Sequence, residues 1–421
     1  MSGSLRRLKY VVAINARSLP EQTPNDLGIR YLDIGAVGRG TLVAEPEVTT
    51  FGDAPSRARR LVTEGDAIVS TVRTYLRAVW PVRGDTDSLV VSTGFVVLSP
   101  GPMLDSRYLG WVVQSDLVIE EIVARSVGVS YPGINGPEIG DISIPVPPVR
   151  EQRSIANYLD TETARIDALT SRYLELVDRL DDQRGAITVA GVSGGPPAVP
   201  RRASSLAWLT EVPAHWDEVR LSLLARLGSG HTPSREHPEW WIDCTIPWIT
   251  TGEVWQIRDD RIEYLSETRE KVSQLGIANS SAELHPAGTV VLSRTASAGF
   301  SAIMATDMAT SQDYVTWTCG PRLRPRFLLL CLRAMRQDLL GRLAMGSTHQ
   351  TIYVPDIQSI RIPLPPLEEQ DQLVGWTWQR LRRIDAATDA IRCQIDLLTE
   401  RRQALITAAV TGQLEIPGVA A

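Results

Sequence analysis

The sequence predicts an α+β protein in which two globular blocks alternate with two long helices. The helices are expected to pack as an antiparallel coiled coil, and the whole chain carries an internal pseudo-two-fold repeat. Three observations predict this. Ile144-Pro145-Val146-Pro147-Pro148-Val149-Arg150-Glu151-Gln152 recurs 218 positions later as Ile362-Pro363-Leu364-Pro365-Pro366-Leu367-Glu368-Glu369-Gln370. The same ungapped shift carries Ile166-Asp167 onto Ile384-Asp385 and Val192-Ser193-Gly194 onto Val410-Thr411-Gly412. Upstream it carries Gly128, Ile134, Pro137, Ile139 and Ile142 onto Gly346, Ile352, Pro355, Ile357 and Ile360. A period of about half the chain means two copies of one module, where a solenoid repeats every few tens of residues. The second observation is a heptad pattern sustained over five to six heptads behind Pro147-Pro148 and behind Pro365-Pro366. The third is that the remaining segments read as short β runs broken by Gly and Pro.

In chain order, the first block covers 1–148, with strands over 67–70, 89–91 and 95–98 and a helix over 108–124. The first long helix, 149–191, follows Pro147-Pro148, which suits a helix entry. Leu159, Ile166, Tyr173, Leu180 and Ile187 share one heptad position, with Ile155, Leu169 and Leu176 on the neighbouring one. Residues 192–204, rich in Gly and Pro, read as a linker. The second block, 205–364, has strands over 289–292 and 314–317 and a helix over 325–340. The second long helix, 365–414, places Glu368 and Glu369 in its first turn, where the helix dipole favours anions. Its stripe is Ile384, Ile391, Leu398 and Leu405, and residues 415–421 are a short tail. Some forty residues of helix span on the order of 60 Å, a length suited to a spacer or a docking rail.

At 421 residues the chain has room for two or three domains with cores of their own. Four scattered cysteines, with no CxxC pair, argue against a zinc site or a disulfide framework and fit a reducing cytoplasm. No apolar stretch reaches the roughly 18–20 residues a membrane span needs. The net charge of −6 speaks against a nucleic-acid partner at first sight. Yet all but Lys9 and Lys271 of the 43 basic residues are arginine, the side chain suited to bidentate contacts with guanine and phosphate. GC-rich codon usage would produce the same bias, so charge alone decides nothing.

No catalytic signature is present. Neither lysine stands in a Walker A context, no Gly-x-Ser-x-Gly elbow occurs, and the Pro-Pro pairs lack the Asn/Asp-Pro-Pro-aromatic setting of an amino-methyltransferase. The five histidines are scattered and read as surface or capping residues, and Trp240, Trp241, Trp248 and Trp255 read as core. These residues describe a binding protein.

The helical segments resemble those of the specificity subunit of type I restriction-modification systems. The resemblance rests on Ile362 to Gln370, on Ile384-Asp385, and on the closing run from Glu400 to Leu414. Val212-Pro213-Ala214-His215-Trp216, Gly228-Ser229-Gly230-His231-Thr232-Pro233-Ser234 and Ile246-Pro247-Trp248-Ile249 resemble that family's target-recognition domains. The first block lacks the Pro-x-His-Trp and Gly-x-Thr-Pro elements, and Arg150 stands where the second copy has Glu368.

The resemblance implies a non-catalytic, cytoplasmic DNA sequence-recognition subunit whose two target-recognition domains each read half of a bipartite target, with the helices setting the half-site spacing. It implies as partners double-stranded DNA, two adenine methyltransferase (modification) subunits and restriction/translocase subunits, with no membrane. It also implies no cofactor on this chain, since S-adenosylmethionine, ATP and Mg belong to the partner subunits. The alternative reading is a two-domain interaction scaffold or decoy that has lost DNA binding. Reading bases needs Arg for guanine and Asn or Gln for adenine, with hydroxyls and amides on phosphates. The candidates are Arg73, Arg77, Ser130, Tyr131 and Asn135 in the first block. In the second they are Gly230, His231, Thr232, Arg294, Ser347, Thr348, His349 and Gln350. Glu162, Arg165, Arg380 and Arg383 are candidates for docking methyltransferase subunits, and no metal site is expected.

Overall fold

A computed structural model describes residues 4–195, 199–345, 351–417 and 419. The chain forms two compact units, one from residues 1–174 with 392–421, the other from 175–391. These limits differ from the domain bounds read off the sequence. The division runs through both long helices, Val149–Val192 and Leu367–Thr411, so each unit owns one globular block and part of each helix.

The first unit is built on an antiparallel sheet in the order Val12–Ile14, Phe95–Pro100, Ala67–Ser70, Val79–Pro81. Every residue of Ala67–Ser70 is buried, as expected of a short apolar run closed by a turn. Helix Ser106–Gln114 starts where the Asp105 side chain accepts from the Arg107 and Tyr108 amides, and its apolar face covers this sheet. The single helix expected over 108–124 is instead two, broken at Ser115, where the backbone turns extended and the hydroxyl donates to the Val112 carbonyl at 2.6 Å. A second sheet runs Glu47–Thr50, Gly28–Leu32, Leu89–Ser92, Ala58–Leu61, and strand Ser4–Arg7 pairs antiparallel with Ser143–Val146.

The second unit repeats the same frame. Its main sheet runs Ala225–Ser229, Tyr314–Cys319, Val290–Ser293, Ser301–Met304, extended by a parallel pairing with Tyr264–Leu265. Helix Pro325–Ala334 covers it, and Asp217–Arg220 pairs antiparallel with Arg361–Leu364. Here the expected linker differs from the structure, because Arg201–Ala203 is a strand paired with Glu211–Pro213. In the first unit the expected tail is likewise structured in part, with Ile416 buried beside Ile155 and Leu159.

The repeated Pro-Pro-x-x-x-Gln motif has a structural purpose. Gln152 is fully buried, its amide donating to the carbonyls of Met103 (2.9 Å) and Pro147 (2.7 Å) while its oxygen accepts from the Asp105 amide (2.7 Å). Gln370 makes the same three bonds, to Arg322 (2.9 Å), Pro365 (2.9 Å) and Arg324 (2.8 Å). Each glutamine thus fastens the entry of a covering helix to the entry of a long helix and leaves none of its side-chain groups unpaired.

The long helices pack against each other in both units. In the second unit Arg184 pairs with Asp385, while Gly191, further along the first helix, lies against Thr377, which is earlier in the second; the helices are therefore antiparallel. In the first unit Arg402 pairs with Asp167 at 2.9 Å. A shift of 218 converts one pair into the other, so the same interhelical contact is made twice. Leu159 and Ile166 are buried in the first unit and Ile384 in the second. Tyr173, Leu180, Ile187, Ile391, Leu398 and Leu405 are half-buried. Leu169 and Leu176, expected on the stripe, are instead exposed, and Val177 takes the buried position.

Unit 2 also contains a dense ionic cluster. Asp260, at φ 58°, accepts from Arg336 at 2.6 and 2.7 Å and lies 3.3 Å from the Arg333 Nε, while its carbonyl accepts from Arg333 (2.7 Å) and Arg184 (3.0 Å). Burial pulls the Arg333 guanidinium down to about 10, against the Asp260 charge that raises it, so it stays cationic at neutral pH.

Two further expectations fail. His285 is buried in the second unit, its Nδ1 3.4 Å from the Thr316 hydroxyl, and burial lowers its pKa. Trp255 is exposed, whereas Trp248 is core and Trp241 packs edge-on against it at 5.7 Å. Trp240 is half-buried and stacks on His237 at 4.1 Å.

Candidate nucleic-acid interface

In the first unit the candidate loops leave the end of strand Ala67–Ser70. Thr71 is held by its amide and hydroxyl to the Gly94 carbonyl, both at 2.8 Å, and its own carbonyl accepts from the Ile134 amide at 2.8 Å. The following turn, Thr74–Leu76, is bounded by Arg73 and Arg77, both at positive φ (50° and 53°), a conformation non-glycine residues seldom adopt. Thr74 donates to Ser126 at 2.7 Å, and Val72 and Val127 each bridge to Gly133, so the 71–77 and 126–134 loops form one body. The Arg73 guanidinium sits 5.2 Å from the centre of the exposed Tyr131 ring and forms no ion pair among the described residues. Arg77 pairs with Glu120 at 2.7 Å. Ser130 is exposed. Asn135 caps helix Gly136–Gly140 in a capping box with Glu138 (2.9 and 3.0 Å), so its side-chain oxygen is engaged in the fold.

In the second unit the corresponding loop leaves strand Val290–Ser293. The Arg294 amide donates to the Asp313 carbonyl (2.8 Å), and the Arg294 carbonyl accepts from the Ile352 amide (2.8 Å). Thr71 and Arg294 thus occupy the same place in two copies of one fold. The Arg294 Nε donates to the Gln312 carbonyl (3.0 Å), and Thr232 donates to the Gln312 side chain (2.7 Å). The His231 amide reaches the Thr310 carbonyl at 3.0 Å. His231, Thr232 and Arg294 are therefore gathered around 310–313. Gly230 is not an open phosphate cradle. It is buried, and a Cβ there would lie 2.2 Å from the Thr310 and Ser311 carbonyls, so its role is close backbone packing. Ser347, Thr348, His349 and Gln350 lie outside the described residues.

Sequence reasoning missed the hub at Asp313, whose carboxylate accepts from Thr295 and from Ser311 (3.2 Å). It also missed the exposed apolar side chains of the first unit's loops, which no periodicity marks. Of the docking candidates, Arg165 is exposed and pairs with Glu162, and Arg380 covers the Trp376 ring at 4.2 Å. Among the described residues no cluster of His, Cys, Asp or Glu is placed to hold a metal, and no helix is long and apolar enough to cross a membrane.

A block made twice, each copy fastened by a buried glutamine to a shared helix pair and each exposing loops at the end of the same strand, defines a duplicated binding protein. Residues 213–397 match the family described as type I restriction modification DNA specificity domain. The chain is similar to the MjaIX specificity subunit of Methanocaldococcus jannaschii, 23% identical over 164 residues; that match spans 39% of this chain and only 37% of the relative. It is similar over 87% of its length to the HindI specificity subunit of Haemophilus influenzae, 20% identical and covering 90% of that protein. A chain from a solved structure of type I restriction-modification complex assembly shares the fold with a TM-score of 0.76 at 23% identity, over 98% of this chain and 99% of that one. Residues 213–397 thus carry a type I restriction modification DNA specificity domain, and across its length the chain is similar to specificity subunits of type I restriction-modification systems.

Proposed function

We propose that each globular block reads one half of a bipartite double-stranded DNA target and that the two long helices set the distance between the halves. The observation that carries this reading is the equivalence of Thr71 and Arg294, which open the loop clusters of two copies of one fold. Two equivalent reading heads suit a target with two halves, as dimeric DNA-binding proteins suit paired half-sites. Arg73 and Arg294 are the side chains placed to read base edges or to hold phosphate. The exposed faces of the helices dock two adenine methyltransferase subunits, and restriction/translocase subunits complete the assembly. S-adenosylmethionine, ATP and Mg act in those partners, in the cytoplasm. The partners' cationic surfaces supply much of the phosphate contact, which reconciles DNA binding with a net charge of −6.

The test is single-molecule sequencing of genomic N6-methyladenine with and without the gene. Loss of one bipartite methylated motif is the expected result. A normal methylation pattern in the disruptant, with the methyltransferase expressed, would point to a scaffold or decoy that no longer reads DNA.

A further inference from the structure

The loops of the first unit present apolar groups where a phosphate-binding surface would present cations. Val72, Tyr75, Leu76, Val127, Val129 and Tyr131 are all exposed, Val127 by 80% and Val129 completely. Single exposed apolar residues are ordinary, whereas a contiguous group marks an interaction site. Contiguity follows from the bonds that join the two loops, namely the Val72 and Val127 bridges to Gly133 and the Thr74–Ser126 hydrogen bond. Tyr75 and Leu76 lie in the turn bounded by the positive-φ residues Arg73 and Arg77, which directs a short apolar tip outward. The charge within the patch is that of Arg73, lying over Tyr131 without a carboxylate partner among the described residues.

The occupant must therefore be anionic and must offer small apolar groups in a recess. Duplex DNA meets both conditions in its major groove, where each A·T pair displays an apolar group, the thymine C5-methyl. Four of the six side chains are aliphatic, which suits contact with methyl groups better than stacking on base faces. Continuity with Thr71, at the head of the candidate interface, favours DNA over a protein partner for this face.

We infer that the 72–76 and 127–131 loops read thymine methyl groups in one half-site. This rests on the proposed DNA-reading function and names its recognition chemistry for the first block.

The test uses the full chain in complex with its methyltransferase subunits and a duplex carrying the motif mapped from the genome. Each thymine is replaced in turn by uracil, which removes only the methyl group. In one half-site, uracil should weaken binding about three- to fivefold per contacted methyl. That penalty should vanish in Leu76→Ala or Val129→Ser, whose exposed positions leave the melting temperature unchanged. Equal binding of thymine and uracil duplexes would overturn the inference while leaving DNA reading intact, as would a penalty that persists in both variants. Loss of methyltransferase association in the variants would assign the patch to a protein partner and also overturn it. Failure of the wild-type complex to prefer the motif over a scrambled duplex would refute DNA reading itself, and this inference with it.

Discussion

Replacing Gln370 with alanine should unfold the second unit far more readily than burial of one side chain would suggest. The residue is fully buried, and its three hydrogen bonds go to the backbone of Arg322, Arg324 and Pro365. Truncation strands two carbonyls and one amide at the junction of the covering helix and the second long helix. Each orphaned group costs about 1–3 kcal/mol when water cannot reach it. Allowing for partial hydration of one of them, the expected loss is about 3–5 kcal/mol. For a unit of this size, 1 kcal/mol corresponds to roughly 2–4 °C, so the transition of the second unit should fall by about 6–20 °C in differential scanning calorimetry. Gln370→Leu, similar in volume but unable to bond, should be as damaging, and Gln152→Ala should act on the first unit by a similar amount. A shift under about 2 °C, or a leucine variant indistinguishable from wild type, would refute the role assigned to this residue.

Three further outcomes follow from the ionic contacts. Glu218 is depressed to about 2: burial opposes its ionisation, but hydrogen bonds from Ser204 and Ser205 and the charge of Arg202 outweigh it. A folded pKa below the unfolded value near 4.5 gives stability that is fully present above about pH 4.5 and is lost as pH falls towards 2. The contribution is at most about 3 kcal/mol, and Glu218→Gln should flatten that part of the acid-unfolding curve. Arg184→Ala should cost roughly 2–4 kcal/mol in chemical denaturation, because it leaves the largely buried Asp385 unpaired and removes a bond to the Asp260 carbonyl. Its counterpart Arg402→Ala should cost about 1 kcal/mol, since Asp167 is half exposed and regains water.

The helical half of this protein was legible in the sequence because both copies of Pro-Pro-x-x-x-Gln must make identical bonds and therefore stay recognisable. Which bonds those are was not legible. The partners of Gln152 and Gln370 are backbone atoms, some almost fifty residues earlier, and backbone atoms leave no trace in side-chain identity. The repeat of the sheets was hidden for another reason. Ser70 and Ser293 end equivalent strands at an offset of 223 residues, while Phe95 and Tyr314 begin the next pair at an offset of 219, so loop insertions destroy any fixed register. Heptad counting placed Leu169 and Leu176 in the seam because it assumes a partner along the full helix, whereas apolar burial concentrates near the helix ends, at Ile155, Leu159, Val192, Leu373 and Val410. Among site residues, Arg73 and Arg294 were visible as arginines after a strand. Asn135 looked like a base reader because a capping asparagine and a recognition asparagine are the same residue type in the same kind of loop.

The proposed function, in which the long helices set the distance between two half-site readers, is tested most directly by shortening those helices. Removing one heptad from the middle of each long helix preserves the packing face and withdraws about 10 Å of helix. At 3.4 Å per base pair, the methylated motif should keep both half-sites and lose about three base pairs of gap, read by genomic N6-methyladenine mapping. Two unchanged half-sites at the original spacing would contradict the claim.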